Sequence, residues 1–333
     1  MTVQITIIGM GQVGTSIGLA LEKHKELVFR VGHDKEIRAA NQAKQMGALD
    51  RVDINIPHAV EEAGLVILAV PLDQLPETLK AVALDVRPDA VVMDMAPVKA
   101  SALTWARELL PAHAHYVGVV PVINPNYLQT HVAGVESARA DLFENGLLAV
   151  ISERGTPSEA IKLAADLSKL LGAEHLFMDP VELDSMMSAT HLLPQLAAVA
   201  LLNATVDQPG WREARMLAGR PYSEATGAAV LFDQGVALTE AALGAREHVV
   251  RNLDNLIEQL SRLRRDIYTQ DAASLTLHVE KAVKGHERWW RERQTGNWAM
   301  VEIAPKVELP SVKDIFGRMI GMRRRKDEPE QRK

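Results

Sequence analysis

VQITIIGMGQVGTSIGLAL, residues 3–21, starts as an apolar, β-branched run and continues at helical spacing, with Gly9, Gly11 and Gly14 at the turn between them. A strand, a G-x-G-x-x-G turn and a helix in this order open a dinucleotide-binding unit. Gly9 permits the tight turn, Gly11 lets the backbone approach a pyrophosphate, and Gly14 lets helix and strand pack closely. The helix start then offers the phosphates its free N–H groups and its positive dipole end. Gly9, Met10, Gly11, Gln12, Val13 and Gly14 are therefore the expected cofactor loop. The second apolar run ends in RVGHD, which places Asp34 twenty residues past Gly14. A carboxylate there accepts hydrogen bonds from the adenine ribose and repels a 2′-phosphate, which favours NAD over NADP. Lys35 and Arg38 nearby act against that preference.

The runs VQITIIG, LVFRVGHD, LVILAVP, AVVMDMA, HYVGVVPV and LLAVIS are strand-like, and stretches of helical periodicity separate several of them. The expectation is an α/β fold, a Rossmann-type parallel sheet covered by helices on both faces. From residue 179 onward the strand signal stops and long helical patterns take over, as in GVALTEAALGAREHVVRNLDNLIEQLSRLRRDIY and AASLTLHVEKAVKGHERWWRERQ. Three regions follow: a dinucleotide-binding domain over 1–178, an all-helical domain over 179–298, and a partly disordered tail with a basic cluster over 299–333.

The chain has 333 residues, 47% of them hydrophobic and 24% charged, enough for two ordinary cores. A net charge of -6 attracts neither nucleic acid nor an acidic surface. With no cysteine, disulfides, thiolate metal sites and a cysteine nucleophile are excluded, which fits a reducing compartment. The start MTVQITIIGMG reads as neither a signal peptide nor a membrane span, so the expected location is the cytoplasm, with no membrane partner. The histidines are scattered, and no metal site is expected.

Ligands of doubly wound sheets bind beyond the carboxyl ends of the strands. Val70 and Pro71 follow one strand, where they form an apolar shelf for the nicotinamide ribose. Asp94, Pro97 and Lys99 follow the next. Lys99 is either a partner for a substrate carboxylate or a solvated first-turn lysine. Asp94 is either catalytic or a cap for the helix that follows. Asn124, in the turn INPNY, either hydrogen-bonds a substrate or does ordinary turn chemistry.

IIGMGQVGTSIGLAL, VGHDKEIRAANQAKQMGALD, LVILAVPLDQLPETL, DMAPVKAS, YVGVVPV, GVESARADLFENGLLAVI, SATHLLPQLAAVALLNAT and GWREARMLAG occur in that order. Together they resemble the prephenate and arogenate dehydrogenases of tyrosine biosynthesis over roughly residues 3–295. The resemblance implies an NAD-dependent oxidoreductase with a Rossmann domain and a helical dimerisation domain, a small carboxylate substrate and a homodimer. It implies that Arg212 and Arg215 of GWREARML hold substrate carboxylates. It also exposes two departures. The family carries a proton-accepting His at the end of the strand resembling YVGVVP, and here the position is Val120; the Ser that assists it is here Pro97. His191, in SATHLLPQ, is then the candidate base, by family position. Two alternatives stand beside this reading: a related dehydrogenase of another hydroxy or imino acid, and a non-catalytic NAD-binding, metabolite-sensing dimer.

Overall fold

The computed structural model describes residues 2–130, 134–230 and 235–296; the expected C-terminal tail lies outside the described residues. The chain forms two compact units that divide between Leu183 and Asp184.

The first unit is built on an eight-stranded sheet in the order β3-β2-β1-β4-β5-β6-β7-β8. The strands are β1 (Val3–Ile8), β2 (Val28–His33), β3 (Arg51–Val52), β4 (Ala63–Leu68), β5 (Val91–Asp94), β6 (His115–Val122), β7 (Leu147–Ile151) and β8 (Glu174–Phe177). Helices α1 (Gln12–Leu21), α2 (Ile37–Gln45), α3 (Ile56–Val60), α4 (Leu75–Ala83), α5 (Ala100–Leu109) and α6 (Ser158–Leu170) connect them. Ile5, Ile7, Leu65, Ile67, Val91 and Met93 of the central strands are buried. Full burial of one such side chain contributes roughly 1.5–3 kcal/mol, which is why these strands read as continuous apolar runs.

β1 pairs in parallel with both β2 and β4, so the chain reverses its direction of winding there. Such a switch point opens a crevice at the carboxyl ends of the strands. Two strands depart from the expected all-parallel sheet: β7 runs antiparallel to β6, and β8 follows β7 in parallel. A parallel return needs a crossover of a dozen or more residues, usually a helix. The described part of the β6–β7 connection holds only short 3-10 turns, at Pro125–Tyr127 and Val135–Ser137. β3 and β8 gave no signal in the sequence, β3 because it spans two residues and β8 because EHLF is half polar.

Beneath the sheet edge, the buried Arg30 of β2 ties three segments together. It forms a two-armed pair with Asp50, at 3.0 Å and 2.8 Å, and donates to the carbonyls of Gly18 and Gly47. Burial pushes the Asp50 carboxyl up, but the Arg30 hydrogen bonds and charge outweigh it and hold the group below its ordinary value.

The second unit is helical. Its elements are the end of α7 (Pro180–Met187), a π-helical turn (Ser188–Leu192), then α8 (Leu193–Thr205), α9 (Trp211–Leu217), α10 (Arg220–Gly227), α11 (Gly235–Gly244), α12 (Arg246–Tyr268) and α13 (Ala272–Thr295). The pattern expected as one long helix breaks at Ala245, whose backbone leaves the helical region with φ -109 and ψ 29. α12 and α13 form a hairpin closed at its turn by Asp271, which accepts from Ser274 N at 2.9 Å, and by Asp266, which accepts from Ser274 Oγ at 3.0 Å. The run Pro180–Thr205 is long and apolar enough, by length and composition, to cross a membrane.

Candidate active site

The turn after β1 is shaped by its glycines. Gly9 has φ 94, a left-handed conformation, and a Cβ there would lie 2.4 Å from the Ala69 carbonyl oxygen. A Cβ on Gly14 would lie 2.0 Å from the Gly9 oxygen, so helix and turn touch through bare backbone. At Gly11 a Cβ would meet nothing within 4 Å. Gly11 is therefore not required by packing; it leaves open the approach to the start of α1, where no side chain caps the helix. An extended diphosphate fits such a cradle.

Asp34 stands at the end of β2 and fastens this loop. Its Oδ2 accepts from Met10 N at 2.6 Å, and its Oδ1 accepts from Glu36 N at 2.8 Å. A carboxylate oxygen has a second lone pair, so the side chain that fixes the loop can also accept from a ribose hydroxyl. Val70 reaches the same turn: its Cγ1 lies 3.1 Å from the Cβ position of Gly9. Pro71, next to it, is exposed. Gln12 donates to the Ser137 carbonyl at 3.4 Å, and Val13 packs against the core.

The segment GVESARAD is the brace of this helix, a role its sequence did not disclose. Arg139 N donates to Ser16 Oγ of α1 at 2.9 Å. The Arg139 guanidinium lies 4.8 Å from the centre of the Tyr127 ring, and the Tyr127 hydroxyl donates to Asp141 Oδ2 at 2.5 Å. That bond, with a lesser contribution from burial, raises the Tyr127 pKa.

Two sequence expectations change at the end of β5. Lys99 is neither solvated nor open to a substrate: it is fully buried, and its Nζ lies 2.7 Å from Asp94 Oδ1 and 3.1 Å from the Asp94 carbonyl. Its stem crosses β6 at Gly118, where a Cβ would stand 3.0 Å from Lys99 Cδ. Asp94 is likewise committed, since its Oδ1 also accepts from Ala96 N at 2.9 Å and its Oδ2 accepts from the Tyr116 hydroxyl. It folds the turn after β5 and does not cap α5, which has no side-chain cap. Burial, followed by the Asp94 charge and hydrogen bond, pushes the Tyr116 phenol well above its ordinary value. Asn124 does turn chemistry: its Oδ1 accepts from Asn126 N at 3.0 Å and its Nδ2 donates to the Asp141 carbonyl at 3.2 Å. Val120 is buried opposite Ala149 of β7, and Pro97 is half-buried.

In the helical unit, His191 lies in the π-helical turn before α8. Pro194 has no N–H to continue the α-helical ladder, and the turn widens just before it. Gln195 Nε2 donates to the His191 carbonyl at 2.8 Å. Burial lowers the His191 pKa, so its imidazole is neutral at neutral pH. Arg212 and Arg215 are exposed on α9, with Arg215 Nε donating to the Arg212 carbonyl at 3.3 Å.

Comparison with known proteins agrees with this geometry. Residues 17–176 match the family model described as prephenate dehydrogenase, nucleotide-binding domain. The chain is 24% identical to a prephenate dehydrogenase of Bacillus subtilis (strain 168) over 84% of its own length and 74% of the relative's. It is 25% identical to a cyclohexadienyl dehydrogenase of Zymomonas mobilis over 84% of its own length and 94% of the relative's. Its fold is similar to that of a prephenate dehydrogenase of A. aeolicus in complex with hydroxyphenyl propionate and NAD+. That match has a TM-score of 0.75 and 19% identity, covering 86% of this chain and 98% of the other.

Proposed function

We propose that this chain is a member of the prephenate and arogenate dehydrogenase family, which its nucleotide-binding region and its relatives resemble, and that it catalyses the NAD-dependent oxidative decarboxylation of prephenate to 4-hydroxyphenylpyruvate, a step of tyrosine biosynthesis. The carbinol carbon of the ring loses hydride while its hydroxyl proton passes to a base, the ring carboxylate leaves as carbon dioxide with its bonding electrons passing into the ring, and the base returns the proton to the oxygen of the now aromatic ring. NAD, when bound, supplies the hydride acceptor. The observation that carries the reading is the cradle: open space at Gly11, an α1 start with no side-chain cap, and Asp34 fastened to Met10 N.

Val120 and Pro97 supply no titratable group, so the base is assigned to His191. Its place in a π-helical turn, a feature frequent at functional sites, supports the assignment. So does its burial, which keeps the imidazole in the proton-accepting form. The exposed Arg212 and Arg215 are assigned to the substrate carboxylates, which guanidinium groups can grip with two hydrogen bonds. Lys99 and Asn124 have no part in this reading, and Asp94 acts only by shaping the turn after β5.

The protein is assigned as a cytoplasmic homodimer. Val250, Ile257, Leu260 and Ile267 of α12 and Leu277, Val279 and Val283 of α13 are all at least half exposed within one copy. A second copy would cover such faces, and we read the apolar run Pro180–Thr205 in the same way rather than as a membrane span. A monomeric mass in light scattering would overturn this assignment.

A second reading is favoured by one observation, the apolar pair Val120 and Pro97 where the family carries His and Ser: a metabolite-sensing NAD-binding dimer without turnover. Purified protein with NAD and a panel of prephenate, arogenate and related hydroxy acids separates the two. NADH formation with prephenate supports the enzyme, whereas tight NAD binding with no turnover on any of these acids supports the sensor.

A further inference from the structure

A cavity of about 240 Å³ opens between the C-terminal turn of α5, the start of β6 and the loop from β7 to α6. β1, β2, β4, β5 and β6 are mutually parallel. The start of β6 therefore lies at the sheet edge opposite the one that carries Gly9, Asp34 and Val70, and the cavity is separate from the cofactor loop.

Its walls and rim differ in chemistry. Leu103 and Ala106 of α5 are buried lining residues, and Leu110 extends the apolar wall. Arg107 and Arg154 are the cations of the lining. Arg107 is paired with Glu153 across the mouth. Arg154 is exposed and has no ion-pair partner among the described residues, which leaves one uncompensated guanidinium at the rim. Tyr116 also lines the cavity, but its hydroxyl donates to Asp94.

We propose that this cavity binds a small carboxylate with an apolar body, its carboxylate on Arg154 and its body against Leu103, Ala106 and Leu110. A guanidinium matches a carboxylate with two parallel hydrogen bonds, and the wall removes apolar surface from water. A volume of about 240 Å³ accommodates one ring or a short chain. The proposal is independent of the dehydrogenase reading, because no residue of the cofactor loop or of the assigned reaction takes part.

Phenylacetate is the probe. Full-length protein is titrated by calorimetry and by protein-observed NMR, with and without NAD. A saturable site with a Kd on the order of 1 mM is expected, weakened at least tenfold by Arg154→Glu. The thermal midpoint and NAD affinity of that variant should equal those of the wild type, because the position is exposed. Ala106→Phe, which fills the wall, should abolish binding; if that variant does not fold, Arg154→Glu alone decides. No saturable binding, equal affinity in wild type and Arg154→Glu, or complete displacement of the probe by prephenate overturns the proposal.

Discussion

Lys99 Nζ lies 2.7 Å from Asp94 Oδ1, and neither side chain has any exposed surface. A buried pair of this kind holds the turn after β5 by mutual need, since removing one partner leaves the other charge in a medium that cannot solvate it.

Lys99→Met should therefore destabilise the protein by about 3–5 kcal/mol. Lys99→Met combined with Asp94→Asn should recover much of that loss, because no uncompensated charge remains. Denaturant unfolding of the three proteins checks this. A single-variant loss below about 1 kcal/mol, the scale of an exposed pair, would show that the two groups are solvated and that the turn does not depend on them.

Gly11 and Gly14 should respond oppositely to alanine. A Cβ at Gly14 would stand 2.0 Å from backbone oxygen, so Gly14→Ala should unfold or severely destabilise the first unit. A Cβ at Gly11 meets nothing, so Gly11→Ala should keep the wild-type thermal midpoint yet weaken NAD about tenfold or more by obstructing the pyrophosphate. If Gly11→Ala binds NAD as tightly as wild type, the diphosphate does not approach there.

Asp34→Ser should weaken NAD by roughly tenfold, the loss of one or two hydrogen bonds to a charged acceptor. NADP should lose less or gain, since the carboxylate that repels its 2′-phosphate is gone. Because Asp34 also holds Met10 N, the effect common to both cofactors measures loop anchoring, and the difference between them measures ribose recognition. Wild-type protein that binds NADP more tightly than NAD would refute this role.

His191→Asn should lower kcat on the order of 10²-fold or more with NAD affinity unchanged. The base must be neutral to act, and burial lowers the His191 pKa. The active form therefore persists to lower pH than for a solvated imidazole: the rate should be flat near neutrality and fall only below about pH 6.5. An acidic limb centred above that value would assign the base to another group. Val120→His should raise prephenate turnover.

The turn after β1 was legible because its geometry is local. Gly9, Gly11, Gly14 and Asp34 act through backbone freedom and strand ends, and both are written in short stretches of the chain. The roles of Lys99 and Asp94 were not legible. A lysine in the sequence RPDAVVMDMAPVKAS carries no mark of whether it meets solvent or a buried carboxylate. Tyr116 comes from the next strand and Gly118 clears the space for the lysine stem, and only the pairing of β5 with β6 brings the four together.

The sequence by itself determined the alternation of strands and helices, the glycine cradle and the change to an all-helical second half, because hydrophobic period and glycine placement act within a few residues. Tertiary structure alone decided that β7 runs antiparallel, that GVESARAD braces α1 through Ser16, and that Lys99 belongs to Asp94. Each of these joins residues distant in the chain or distant in chemistry, and the free energy of burying a polar group depends on which partners surround it in space.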